Sequence, residues 1–362
     1  MKTVLILFGG QSSEHEVSRV SARNVLANID MGKYHVVTVG ITRDGRWLLF
    51  DGPIELMDDG GWQAYAEAKQ HSQTPVLLSP FSLREFVLSF SKGSKIDAVF
   101  TVMHGINAED GTLQGLLELC GLPYVGSGVL GSSMSMDKEI SKLIFEKAGI
   151  PQGKYFCVDR NEVSTQIDDI SRKVEAYLGF PCFVKPANAG SSVGVSKAKD
   201  AEELRKALEE AGRFDKKILI EQYINGREIE CAVLGNDSPK ASPVGEITPS
   251  NDFYDYSAKY LDNSSVCEIP AKLSPETAGK IQEYAVTAFK ALQCSGLSRV
   301  DFFLERTTGE IFINEINTIP GFTSISMYPM LWQEAGLSYQ NLISTLIELA
   351  IERFESTIRA ID

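Results

Sequence analysis

No stretch of this 362-residue chain approaches the roughly 18 consecutive apolar residues that a membrane-spanning helix needs. The N-terminus offers only Met1-Lys2-Thr3 and the run from Val4 to Phe8, too little for a signal-peptide core and better suited to a first buried strand. Cysteine is sparse. Cys120, Cys157, Cys182, Cys231, Cys267 and Cys294 are scattered without a C-x-x-C pair, which argues against a disulfide frame or zinc site and for buried thiols in a reducing compartment. The four histidines, His15, His35, His71 and His104, lack ligand spacing. Positive charge is also short: 35 Lys and Arg face 48 Asp and Glu, a net charge of -13. That balance disfavours nucleic acid and anionic membranes as partners, both being polyanions, but leaves room for a small phosphate ligand held by a few local lysines. No G-K-[ST] triplet exists, so a Walker A loop is excluded. Internal repeats and low-complexity tracts are missing too. Together these features point to a cytoplasmic protein.

What is present is ordinary globular material, 43% hydrophobic and 23% charged, in a length that suits two or three domains. Residues 4–8 read as a strand ending at Gly9-Gly10, followed by a helix over about 17–26 with a capping-box spacing between Ser13 and Glu16. Residues 35–41 and 96–102 read as further strands, the latter ending at His104-Gly105, with helix over 113–119 and strand over 122–125. This βαβ rhythm predicts a doubly wound parallel sheet, whose ligands sit beyond the carboxyl ends of its strands. Residues 51–94 are irregular and peripheral by this reading. A helix over 138–148 ends at Gly149, with Pro151 beyond. Strands at 183–185 and 193–197 flank a Gly/Ser loop, then come helix over 201–210, strands at 218–222 and 228–234, and helix over 275–292. A long polar and aromatic stretch, 249–270, is the kind of loop that serves function. Residues 297–304 and 311–317 form a hairpin, and an amphipathic helix over 339–354 closes the chain.

Several groups carry chemistry. In the hairpin, Asp301 and Glu315 fall opposite each other and Asn317 shares the face of Glu315. Two carboxylates and an amide oxygen converging on one spot suit Mg²⁺; otherwise they are solvated edge residues. The run from Lys185-Pro186 through Gly190-Ser191-Ser192-Val193-Gly194 has the backbone, hydroxyls and charge that cradle phosphate, and is equally an ordinary Gly-rich hairpin. Gly126-Ser-Gly128-Val-Leu-Gly131 matches G-x-G-x-x-G, but it lies deep in the chain and lacks the acidic ribose partner, which argues against nicotinamide binding. Glu16 suits helix-dipole compensation, whereas Glu14 has the option of projecting into the ligand crevice. Arg299, on the strand face of Asp301, is a structural ion pair or a clamp for developing negative charge. His104 on its own reads as structural, and Lys259-Tyr260 as a surface lysine and a packed tyrosine.

As a set these residues are more specific. The opening Gly9-Gly10-Gln-Ser-Ser-Glu14-His-Glu-Val17-Ser resembles the first motif of the D-alanine–D-alanine ligases. So do His104-Gly105 with Glu109-Asp110-Gly111, Met136-Asp137-Lys138, the Lys185 to Gly194 run, and Phe253-Tyr254-Asp255-Tyr256 with Lys259-Tyr260. Ser298-Arg299-Val300-Asp301, Asn314-Glu315-Ile316-Asn317-Thr318 and Pro320-Gly321-Phe322-Thr323 complete a resemblance that covers essentially the whole chain in order. It implies an ATP-grasp α/β fold, with an N-terminal doubly wound parallel-sheet domain over 1–125, a central lid domain over 126–216 and a C-terminal catalytic domain over 217–362 that clasp ATP. It implies ATP-dependent joining of two D-alanine molecules through a D-alanyl phosphate, for peptidoglycan synthesis, by a cytoplasmic homodimer.

The resemblance also implies roles. Asp301, Glu315 and Asn317 match the ligands of two Mg²⁺ ions, with Mn²⁺ as an alternative. Lys138, Lys185, Ser192 and Lys259 match phosphate contacts, Glu221, Gln222 and Ile224 the adenine segment, and Glu228 the ribose contact. Glu14 matches the anchor of the first D-alanine's ammonium, in a network with Ser191 and Tyr260, and Val17 and His104 match substrate contacts. Arg299 and the Gly321 N–H match an oxyanion site, and Ser326 and Met327 the pocket for the second D-alanine. Two departures stand out: Ala108 replaces a glycine of the third motif, and Gln222 replaces the lysine of some members. Tyr260 in its present context and the apolar Met327 favour D-alanine over D-lactate or D-serine as second substrate. The competing readings are a ligase with another second substrate and a degenerate ATP-binding sensor without turnover; an intact set of Lys185, Arg299 and metal carboxylates speaks against the sensor.

Overall fold

The computed structural model describes residues 1–70, 95–248 and 266–357. Its described residues form three sheets. The first is built from β1 (Lys2–Gly9), β2 (Tyr34–Ile41), β3 (Trp47–Leu49) and β4 (Ala98–Val102), in the order β3-β2-β1-β4. β1 runs parallel to both β2 and β4, with β3 antiparallel at the edge. β1 is buried on both faces from Val4 onward, which explains its unbroken apolar run. Because β1 and β4 are parallel neighbours, their carboxyl ends bring Gly9-Gly10 and His104-Gly105 to the same edge.

α1 (His15–Asn28) follows β1. The expected capping box is not formed: Glu14 is the cap residue, its side chain makes no capping bond, and Glu16 pairs with Arg43 instead. That cationic partner outcompetes a weak return bond to the backbone. Leu122 to Val125 does not become a full strand; Tyr124 makes a single parallel bridge to Val99, since Pro123 has no N–H to extend the ladder. Within the irregular region, α2 (Leu56–Asp59) and α3 (Gly61–Gln70) are helical, and the remainder to residue 94 lies outside the described residues.

After α4 (Thr112–Leu119), α5 (Val129–Met136) and α6 (Lys138–Lys147), a second sheet is made from β5 (Tyr155–Asp159), β6 (Cys182–Pro186), β7 (Ser196–Ala198) and β8 (Lys217–Gln222). Its order is β5-β8-β6-β7, all antiparallel, covered by α7 (Arg160–Tyr177) and α8 (Ala201–Phe214). β8 thus pairs within the central sheet, although it begins just past the 216/217 division read from sequence. Asp137 caps α6 through the N–H groups of Glu139 and Ile140, which fixes where Lys138 and Lys142 point.

The third sheet has five antiparallel strands, β11-β10-β9-β12-β13. They are β9 (Gly226–Gly235), β10 (Lys240–Thr248), β11 (Val266–Glu268), β12 (Gly296–Glu305) and β13 (Ile311–Asn317). α9 (Pro275–Ala291) covers one face through Ile281, Ala285, Ala288 and Phe289. The other face meets α10 (Met327–Glu334) and α11 (Tyr339–Ser356) in a core shared with the first sheet, where Phe100 and Phe8 join Phe322, Tyr328 and Leu342. One continuous apolar core therefore fixes the first sheet against the third.

The G-x-G-x-x-G string serves this joint. A Cβ on Gly131 would stand 2.6 Å from the Gln293 carbonyl oxygen, and one on Gly296 only 3.1 Å from the backbone of Gly126. Gly131→Ala forces backbone apart, and should destabilise the chain by about 1–3 kcal/mol, the usual range for overpacking. Urea unfolding of this variant checks it; unchanged stability would show that the joint tolerates the methyl group.

Candidate active site

A cavity of about 440 Å³ opens where the three sheets meet, lined by β6, β8, β12, β13 and the loops after β1 and β4. Its walls carry eight carboxyl side chains against five cationic ones. A polyphosphate entering such a space needs cations to accompany it. The cationic groups are concentrated on one side, where α6 contributes Lys138 and Lys142, and β6 contributes Lys185.

Glu221 on β8 lies between two of these lysines. Lys142 Nζ is 3.1 Å from its carboxylate and Lys185 closes on the other oxygen. All three are at least nine-tenths buried. Burial pushes Glu221 upward, but the two ammonium charges outweigh it and hold the carboxyl below its ordinary range. Burial lowers Lys142, despite the attraction of Glu221. Lys185 is desolvated too, yet Glu221 and Glu315 together raise it. Two ammonium groups sharing one carboxylate leave local positive charge facing the cavity. Lys138 donates to the Ala189 carbonyl at 2.7 Å and approaches Glu315 at 3.9 Å.

The β12–β13 register places Asp301 opposite Glu315 and Arg299 opposite Asn317, as the hairpin reading expects. A register shift between Asp301 and Phe302 leaves Asn314 as the extra residue, and its side-chain oxygen accepts from Lys185 at 3.4 Å. Arg299 makes a two-pronged contact with Asp301, 2.7 Å on each prong, and reaches Glu230 at 3.0 Å. Asn317 donates to Asp301 at 3.0 Å. The donor set of Asp301, Glu315 and Asn317 consists of hard oxygens, and so fits Mg²⁺.

At the opposite end stands Glu14, which is 4% exposed. Ser191 donates its hydroxyl to one Glu14 oxygen, while Glu14 Oε2 is buried without a hydrogen-bond partner among the described residues. Glycine is required on both sides of that oxygen: a Cβ on Gly190 would come 2.5 Å from it, and one on Gly105 closer still. Ser191 and Ser192 adopt left-handed backbone, φ 47° and 59°, a conformation that costs energy in non-glycine residues and clusters at functional loops. His104 Nδ1 donates to the Ile319 carbonyl at 2.9 Å, and burial holds the imidazole below its ordinary value. Glu109 accepts N–H groups of Gly105 at 2.7 Å and Ile319 at 3.1 Å. Burial, reinforced by the charge of Glu14, pushes Glu109 up to about 8.

Of the residues singled out in the sequence, Glu14, His104, Lys138, Lys185, Ser191, Ser192, Glu221, Gln222, Ile224, Glu228, Arg299, Asp301, Glu315, Asn317 and Gly321 line this one cavity. Val17, Ser326 and Met327 do not: Val17 is on the buried face of α1, Ser326 bonds Thr323 at the start of α10, and Met327 packs into the shared core. Lys259 and Tyr260 lie outside the described residues. Lys142, Glu109, Glu230 and Asn314 join the site without having been singled out for roles. Lys142 was signalled by its i, i+4 spacing from Lys138; Glu230 needed the strand order, which sets it beside Asp301. At Ala108 the left-handed position of the turn falls one residue earlier, on Asn107 at φ 67°, so the missing glycine costs no turn geometry.

The chain matches two family models, "D-ala D-ala ligase N-terminus" over residues 3–127 and "D-ala D-ala ligase C-terminus" over residues 144–348. It is similar to the D-alanine–D-alanine ligase of Acetivibrio thermocellus, at 54% identity over 100% of this chain and 99% of the relative. A D-alanine–D-alanine ligase of Ruminiclostridium cellulolyticum is 57% identical over 99% and 97%. Among solved structures, a D-Ala:D-Ser ligase from Enterococcus faecalis aligns with TM-score 0.82 at 40% identity, covering 96% of this chain and 99% of that one. The D-alanine–D-alanine ligase from Coxiella burnetii aligns with TM-score 0.81 at 36% identity, covering 98% and 97%.

The raised Glu109 gives a pH prediction. Between the ordinary value of 4.5 and about 8, the unfolded chain releases this proton and the folded chain keeps it. The contribution of Glu109 to stability therefore falls as pH rises through that window. Chemical denaturation at pH 5 and pH 8 should show Glu109→Gln gaining stability relative to the wild type at the higher pH; a pH-independent difference would mean that Glu109 is ionised throughout.

Proposed function

The chain belongs to the D-alanine–D-alanine ligase family, and we propose that this cavity joins two D-alanine molecules into D-alanyl-D-alanine at the expense of ATP, through a D-alanyl phosphate. The observation that carries the reading is the coexistence, in one cavity, of a buried carboxylate with an oxygen that has no partner among the described residues and a lysine-lined phosphate wall, with Arg299 among the groups that line the same space. The first selects an ammonium ion, and the second a polyphosphate.

In this reading Glu14 holds the ammonium of the first D-alanine, with Ser191 fixing the carboxylate's orientation. Lys138, Lys142 and Lys185 hold the nucleotide phosphates; Gln222 and Ile224 border the adenine beside Glu221, and Glu228 takes the ribose. A carboxylate oxygen of the first D-alanine attacks the terminal phosphorus and ADP leaves. The amine of the second D-alanine, once it has lost a proton, attacks the acyl carbon, and phosphate departs with its bonding pair. Arg299 and the Gly321 N–H face the oxygen on which negative charge develops. Mg²⁺, for which Asp301, Glu315 and Asn317 would supply oxygen ligands and which Mn²⁺ could replace, neutralises phosphate charge when bound. Loose phosphoryl transfer needs this positioning and charge more than covalent help. Tyr260 and Lys259 belong to the segment proposed to cover the site and exclude water from the acyl phosphate. His104 flanks the first substrate, while Val17, Ser326 and Met327, which stand outside the cavity lining, back the first and second substrate pockets from behind. The same reading gives a cytoplasmic homodimer serving peptidoglycan synthesis, with the central domain extended to include Gln222.

Phosphate release from ATP in the presence of D-alanine, with D-serine or D-lactate added in separate reactions and products identified by mass, checks the proposal. D-alanine alone should suffice and should yield the D-alanyl-D-alanine mass. Turnover confined to a mixed pair would replace the second substrate, and nucleotide binding without turnover in any mixture would favour the sensor.

A further inference from the structure

Gly321 sits between two residues whose backbone groups are held by distant parts of the chain. Ile319 offers its N–H to Glu109 at 3.1 Å and its carbonyl to His104 at 2.9 Å. Phe322 offers its N–H to the Ser21 hydroxyl at 3.2 Å and its carbonyl to the Tyr339 hydroxyl at 2.5 Å. Glu109 and His104 stand on the loop after β4, Ser21 on α1, and Tyr339 on α11. Ser21 and His104 are both buried, and the Phe322 ring is wedged edge-on against Phe100 and Tyr339, with centroids 5.9 and 6.0 Å away. α1 and the β4 loop also carry Glu14 at one end and His104 at the other.

We propose that Ser21 and Glu109 are positioning residues, which hold residues 319–322 of the C-terminal part in register with the amino-acid anchor Glu14 and so place the Gly321 N–H. The inference rests on the reading of that N–H as a donor to developing negative charge. Three of the four ties come from the first domain and its loops, so the two halves of the site cannot move apart without breaking buried hydrogen bonds. A buried backbone N–H left without an acceptor is costly, and a misplaced donor loses transition-state stabilisation even when nothing touching the substrate is changed. Ser21 has no reachable role in the chemistry: it is fully buried and does not line the cavity.

The test is Ser21→Ala, which removes the acceptor with almost no change of volume. Hydrogen–deuterium exchange of the Ile319, Gly321 and Phe322 amides is measured alongside steady-state kinetics. The expected result is faster exchange at these amides, kcat about tenfold lower, as for loss of one positioning hydrogen bond, and an unchanged KM for ATP. Exchange at wild-type rates would overturn the pinning itself. Faster exchange with unchanged kcat would show that Ser21 pins the segment but overturn the positioning role, and would count against Gly321 as the donor. Glu109→Gln, which puts an NH₂ group where one N–H now finds an oxygen, serves as the second variant and should show the same split between kcat and the KM for ATP.

Discussion

Asp301 and Glu315 are held face to face on paired strands, and the rest of the site depends on how that opposition is compensated. Like charges at directly opposite positions destabilise a sheet. Here Arg299 grips Asp301 with two prongs, Asn317 donates to it, and Lys138 stands near Glu315. The neighbouring Glu221 is shared by Lys142 and Lys185. The arrangement is an alternation of buried and half-buried charges in a chain whose overall excess is negative. Under the proposed function it is a site short of cations by design, completed when a metal-bound nucleotide arrives.

The fold serves this arrangement by bringing distant segments to one cavity. The parallel neighbours β1 and β4 deliver Glu14 and His104 to one edge. The antiparallel β6 and β8 deliver Lys185 and Glu221 side by side in the second sheet, and β12 with β13 delivers the carboxylate pair in the third. The apolar core that runs from Phe8 and Phe100 to Phe322 and Tyr328 then fixes the first sheet against the third. Exposed salt bridges on the helices add little to this, being screened by solvent.

Much of this was legible in the sequence because the informative features are local. The apolar run of β1, the helix over 138–148 that stops at Gly149, and the spacing that sets Asp301 against Glu315 all follow from period and turn chemistry over a dozen residues. What was not legible is non-local. Glu16 abandons its capping role because Arg43, 27 residues away, reaches it. Lys217 to Gln222 joins the central sheet because β5 and β6 offer it two edges. Glu230 becomes a partner of Arg299 only through the pairing of β9 with β12. The glycines at 126, 128 and 131, which mimic a dinucleotide fingerprint, include one, Gly131, whose packing against Gln293 leaves no space for a side chain, and one, Gly126, whose backbone is left-handed at φ 101°. Local pattern cannot distinguish these two uses of glycine.

Under the proposed function, the opposed carboxylates await a cation carried with the nucleotide. The most direct measurement is the affinity of the full chain for a non-hydrolysable ATP analogue by calorimetry, with Mg²⁺ and with chelator, in the wild type and in Glu315→Gln. Mg²⁺ should tighten binding at least about tenfold, equivalent to about 1.4 kcal/mol, in the wild type and do much less in the variant. Equal affinity with and without Mg²⁺ in the wild type would contradict it.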